Sequence, residues 1–144
     1  MSTPCFIAMH CTDGMIRGVY CHWDGYLDGV GRTLVQHYPT LRKAGELLLL
    51  GDLSALDETP FPGSTVAYHR DMKQPLILPR EWKSSDDLLN DDVSERLWID
   101  YIYLLGDDGM WRYTEKRGGW FLLPSLAEFD KRRKKKIFNL NEKD

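Results

Sequence analysis

The stretch YCHWDGYLDGVGRTL, Tyr20 to Leu34, holds seven residues whose types together could grip a nucleotide-like anion: His22, Trp23, Asp24, Tyr26, Gly29, Gly31 and Arg32. Read as a strand end entering a helix, it presents the amides of Gly29, Val30 and Gly31 where the helix macrodipole favours negative charge. Glycine there admits close approach, and Arg32 offers a bidentate charge to phosphate or carboxylate. Trp23 and Tyr26 supply flat faces for a base, and Asp24 an acceptor for a ribose hydroxyl or an amide. A second set, AYHRD, places His69 and Arg70 at the end of a short strand, where side chains often enter a site. A ligand pocket follows if the fold gathers both sets at one mouth.

Each set also has a plainer reading. DGYLDGVG fits a turn that needs positive φ, with Asp28 capping a helix and Trp23 in the core. GVGRT lacks the lysine and the glycine spacing of a Walker A loop. Arg70 beside Asp71 fits a surface ion pair. The aromatic set Trp98, Tyr101, Tyr103, Trp111 and Tyr113 reads first as core and sheet surface.

Catalysis has thinner support. If Asp13-Gly14 forms a two-residue turn, Thr12 faces Met15, Ile7 faces Tyr20 and Cys5 faces His22. That would set a thiol beside a base, the minimum for a small Cys/His-dependent hydrolase. The histidines at 10, 22, 37 and 69 show no HxH or HExxH spacing, so no metal and no cofactor are expected. Cys5, Cys11 and Cys21 are odd in number and lack CxxC spacing, which fits small buried hydrophobes rather than a disulfide framework.

The elements that must position these groups follow from local pattern. Residues 4–23 read as a β-hairpin with both faces substantially apolar, hence central in its sheet. In the register above, Cys5, Ile7, Met9, Cys11, Ile16, Tyr20 and His22 share one face, and Phe6, Ala8, Val19, Cys21 and Trp23 the other. Val30, Leu34 and Tyr38 recur at helical spacing over roughly 29–38, and Thr40 is placed to cap a second helix closed by Gly51. TVAYH reads as a short strand, RDMKQPLILPREW as a surface excursion, and SSDDLLNDD as an acidic segment with one helical turn. RLWIDYIYLL and MWRYTEK flank GDDG as a second hairpin, and GGWFLLP adds a strand. Ser125 and Glu128 stand in the capping-box pattern before a last helix. The class is α+β, a mostly antiparallel sheet built from hairpins, with a helical hairpin and a C-terminal helix packed on it.

Bulk properties bound the function. The 144 residues suit one domain over 1–130, with 131–144 as a basic helix end or tail. Residues 131–144 hold seven Lys and Arg against two acidic residues; the net charge of −3 therefore leaves −8 on the first 130. That acidic body argues against broad nucleic-acid coating, which needs a continuous basic face. Apolar runs are too short to span a bilayer, and MSTPCFIAMH has no basic n-region or apolar h-region, so a cytoplasmic setting without membrane partners is expected.

YCHWDGY, GRTLVQHY, LLLLGDLSAL and TVAYHRD together resemble an uncharacterised family of small bacteriophage and prophage proteins. The likeness covers roughly residues 5–71 and extends to an aromatic hairpin such as DYIYLLGDDGMWRYTEK. The resemblance implies a phage or bacterial setting, in the host bacterial cytoplasm, and supplies no catalytic residues. The expectation is a non-enzymatic phage-type accessory protein that counters a bacterial defence by sequestering a nucleotide-derived signal. Direct binding to a host defence protein, in the manner of an anti-CRISPR, is the alternative, with SSDDLLNDD mimicking nucleic-acid charge. The aromatic second hairpin offers a face for a homodimer.

Overall fold

The computed structural model describes residues 2–142, and side chains through residue 134. In chain order come β1 (Cys5–His10), β2 (Ile16–Cys21), a π-helical turn (Leu27–Gly31) running into α1 (Arg32–His37), α2 (Leu41–Leu48), β3 (Leu53–Ala55) and β4 (Val66–Ala67). There follow α3 (Tyr68–Met72), β5 (Arg80–Trp82), α4 (Ser85–Leu89), α5 (Val93–Arg96), β6 (Tyr101–Leu105), β7 (Trp111–Glu115), β8 (Phe121–Leu122) and α6 (Leu126–Glu142). The class is α+β, and one mostly antiparallel sheet carries all the strands in the order β4-β3-β2-β1-β6-β7-β8, with β5 also paired to β2. Two parallel junctions, β1 with β6 and β2 with β3, join the antiparallel pieces.

The first hairpin departs from its expected register by one residue. Cys5 faces Cys21 and Ile7 faces Val19, so neither Cys5–His22 nor Ile7–Tyr20 is a cross-strand pair. The cause is the turn. The Cys11 N–H donates to the Met15 carbonyl at 2.8 Å, leaving Thr12, Asp13 and Gly14 as a three-residue loop with Gly14 at φ +86°. The Asp13 carboxylate accepts the Met15 N–H at 3.0 Å and the Arg17 guanidinium at 2.8 and 3.1 Å, which holds that longer loop. A one-residue slip exchanges the two faces of a strand. Val19 and Cys21 therefore join Cys5, Ile7 and Met9 beneath the helices, while Ile16 and Tyr20 join Phe6 and Ala8 on the opposite face.

Both faces are covered. Val30, Leu34 and Tyr38 form the buried stripe their spacing demands, and α2 adds Ala44 and Leu47 to the same core. Across the sheet, Phe6, Ile102 and Leu104 pack with Trp82 and Leu88, and the Trp82 indole donates to Asp91 at 2.6 Å. Capping follows the sequence. Thr40 accepts from Lys43 N–H at 3.2 Å, and Ser125 and Glu128 bond reciprocally through their backbone N–H groups at 3.2 and 3.3 Å. Asp28 lies inside the first turn of its helix, whose cap position is Tyr26. The AYHRD strand ends after Ala67, so His69 and Arg70 ride on the short helix α3. Among the described residues no helix is long and apolar enough to cross a membrane.

Leu34 is fully buried where the helical layer meets the sheet. Leu34→Ala is expected to cost about 2–5 kcal/mol in urea unfolding, from lost transfer energy plus the cavity left behind. A loss below about 1 kcal/mol would show that this stripe does not carry the core.

Candidate functional site

β2 has two strands on its outer edge, one after the other. β5 pairs at Ile16 to Gly18 and β3 pairs at Cys21, with the His22 N–H donating to Leu53. Between them the N–H of Tyr20 meets neither strand. Asp52, just before β3, fills the gap: its Oδ1 accepts Tyr20 N–H at 3.0 Å. The same carboxylate takes the Arg80 guanidinium at 3.0 and 3.3 Å, and that guanidinium lies 5.3 Å over the Phe6 ring. Asp52 is only 8% exposed, so its charge needs these partners.

Over this seam lies a hollow of about 300 Å³, lined by Tyr20, His22, Asp52, Tyr68, His69 and Arg80, with Pro75 and Ile77 as an apolar wall. The volume falls at the lower end of small-molecule sites. Tyr20 Oη and His22 Nδ1 are 2.7 Å apart. Burial, with Tyr68 next in effect, pushes the Tyr20 phenol up to about 12. It therefore stays protonated through neutral pH. Burial also raises Tyr68, partly opposed by its hydrogen bond to Ser54. His69 Nδ1 sits 2.8 Å from the Gln74 carbonyl, which fixes its ring where the 73–79 excursion turns over the hollow.

His22 and His69, from the two separate motifs, thus share one concavity. Trp23 stands beside it: its indole meets the His22 ring edge-on at 4.7 Å and remains 44% exposed. The other expected site residues lie outside the hollow. Asp24 and Tyr26 are exposed and bond to each other at 3.4 Å. Arg32 pairs with Asp130 of α6 at 2.5 Å. Arg70 chelates Asp71 at 2.9 Å and holds the 57–65 loop through the carbonyls of Pro60 and Thr65 (2.7 Å to the latter).

The elbow amides are also engaged within the protein. Gly29 N–H donates to the Tyr26 carbonyl and Val30 N–H to the Asp24 carbonyl at 2.8 Å, and the Tyr103 hydroxyl packs close to Gly31. That hydroxyl in turn donates to Gly25 at 2.6 Å. A Cβ on Gly29 would strike the Asp24 carbonyl, and one on Gly31 would press the Tyr103 ring at 3.1 Å. The close approach that glycine permits here is chain to chain.

Cys5 and His22 project to opposite faces of the sheet, which removes the thiol–imidazole pair on which the hydrolase reading rested. Burial, then the adjacent Cys21, raises the Cys5 thiol well above its ordinary range. Among the described residues no group of three His, Cys, Asp or Glu side chains could hold a metal ion.

Sequence reasoning passed over Asp52, Tyr68 and Arg80. A signal for Asp52 existed: one carboxylate inside the apolar run LLLLGDLSAL must find a buried partner. Compared with protein-family models, with curated proteins and with solved structures, the chain matches none of them.

Removing the Asp52 carboxylate strands a partly buried guanidinium and a backbone donor. Asp52→Ala is therefore expected to cost about 3–5 kcal/mol in chemical unfolding, whereas a well-folded variant within 1 kcal/mol would show the seam closes without it. Alkali tests Tyr20. Its folded pKa lies above the usual 10, so between pH 10 and about 12 the unfolded chain sheds a proton that the folded chain keeps. Stability falls as pH rises through that window, and the advantage of wild type over Tyr20→Phe shrinks with it; a constant difference would contradict the assignment. With a thiol reagent at neutral pH, half-buried Cys11 should label first, and Cys5 and Cys21 only on unfolding.

Proposed function

We propose that this chain is a binding protein that captures a small nucleotide-derived molecule in the hollow between His22 and His69. One observation carries the reading: two imidazoles, two phenols and a guanidinium from three separate segments converge on one concavity. Such a set offers directional donors to phosphate or sugar oxygens, and the flanking indole of Trp23 offers a face to a base. The apolar wall of Pro75 and Ile77 gives a ring something to pack against. The resemblance to phage proteins supports a setting in which such capture withdraws a host defence signal.

Calorimetry with ADP-ribose and cyclic dinucleotides tests the proposal. At least one is expected to bind in the micromolar range, and His69→Ala should weaken it about tenfold, the order of one lost hydrogen bond. His69 is exposed, so the variant should keep its fold. Silence from every nucleotide, alongside a stable complex with a defence effector, would replace capture with direct protein binding.

A further inference from the structure

A second and larger depression, about 910 Å³, adjoins the first and shares Tyr20, His22 and Leu97 with it. Its sides are the N-terminal segment at Ser2 and Thr3, the stretch following α5, and the turn after β7 at Lys116 and Arg117. Three features of this groove bear on what it could hold.

Trp98 leaves its indole 84% exposed, the largest exposure among the big apolar side chains described, and holds φ at +58°. Lys116 and Arg117 follow one another at φ +50° and +59°. The fold sets these conformations: Ile99 and Trp98 N–H bond back to Ser94 and Glu95 at the end of α5, and Gly118 N–H bonds to Glu115 across a two-residue turn, which places Trp98, Lys116 and Arg117 at the groove. Third, Ser94 is 1% exposed, lines the groove, and its hydroxyl has no hydrogen-bond partner among the described residues. A buried hydroxyl that the chain itself leaves unpaired suits one that a ligand completes.

The walls carry both signs of charge, with Glu95 and Asp100 lining the groove beside Lys116 and Arg117. The Lys116 ammonium has no carboxylate partner among the described residues, and Arg117 bonds only the exposed Glu95, at 3.3 Å. Both cations remain able to meet phosphate. The exposed Trp98 ring offers a π-surface to a base, and Ser2, Thr3 and Ser94 offer hydroxyls to a sugar.

We infer that the groove and the hollow are two halves of one site for a nucleoside diphosphate that carries a second sugar. The base stacks on Trp98, the pyrophosphate lies against Lys116 and Arg117, and the second sugar enters between His22 and His69. This inference rests on the capture reading and specifies its ligand.

The test is calorimetry with ADP-ribose, ADP and adenosine against wild type and four variants. Affinity should fall about tenfold at each truncation. Trp98→Ala should weaken all three ligands by tenfold or more. Lys116→Gly, which also relieves its positive φ, should weaken ADP-ribose and ADP but not adenosine, and His69→Ala should weaken ADP-ribose alone. Ser94→Ala should raise the melting temperature while lowering ADP-ribose affinity, a pairing that a purely structural serine would not give. Unchanged ADP-ribose affinity in Trp98→Ala and Lys116→Gly, with loss in His69→Ala, would overturn the two-part site and leave the smaller hollow as the capture site. No binding of ADP-ribose to wild type would overturn this inference outright, whereas capture itself would fall only if cyclic dinucleotides failed as well.

Discussion

The Asp52 carboxylate is the point on which this structure turns. A strand edge must satisfy its outward N–H groups, and β2 does so with two short strands that leave a vacancy at Tyr20. A single continuous strand would have closed the edge and filled the space above it. A side-chain acceptor closes the edge while leaving the space open. Because Arg80 begins β5 and Asp52 precedes β3, the ion pair also ties the two edge strands to each other. Ion pairs of this kind contribute little net energy when intact, yet breaking one is costly, so the geometry is specified more firmly than it is stabilised.

The arginines show how charge is divided between architecture and chemistry. Arg32 fastens the first helical layer to α6, Arg70 fastens the loop before β4, and Arg80 fastens the seam. The groups left facing the hollow are imidazoles and phenols, which make directional hydrogen bonds from a semi-enclosed surface. Cations with spare capacity appear instead at Lys116 and Arg117, on the turn that follows β7. That division suits a ligand whose polar atoms are read in the hollow and whose charge is neutralised in the groove.

Much of the architecture was legible because it is local. The 30–34–38 stripe, the Thr40 cap, the Ser125–Glu128 box and both hairpins are set by neighbours within a few residues. The hairpin register was not, since Asp-Gly serves both two- and three-residue loops; the Asp13 carboxylate, bonded to Met15 and Arg17, selects the longer. Half the site was legible for a related reason. Residue type marks His22 and His69 as able, but not whether an arginine's partner lies elsewhere in the chain. Asp130 is 98 positions from Arg32, and the Pro60 and Thr65 carbonyls that hold Arg70 carry no signature at all. β5 and α5, each only three or four residues long, have too little periodicity to declare themselves, and with them went Arg80 and the groove beside Trp98.

The chain's four histidines permit one direct measurement of where ligand sits. Ring nitrogen–proton correlations would be followed by NMR through a titration with ADP-ribose. The account predicts that the signals of His22 and His69 move together and saturate at one ligand concentration, while those of His10 and His37 stay fixed. Signals of His10 or His37 moving while His22 and His69 hold still would place the ligand elsewhere and contradict it.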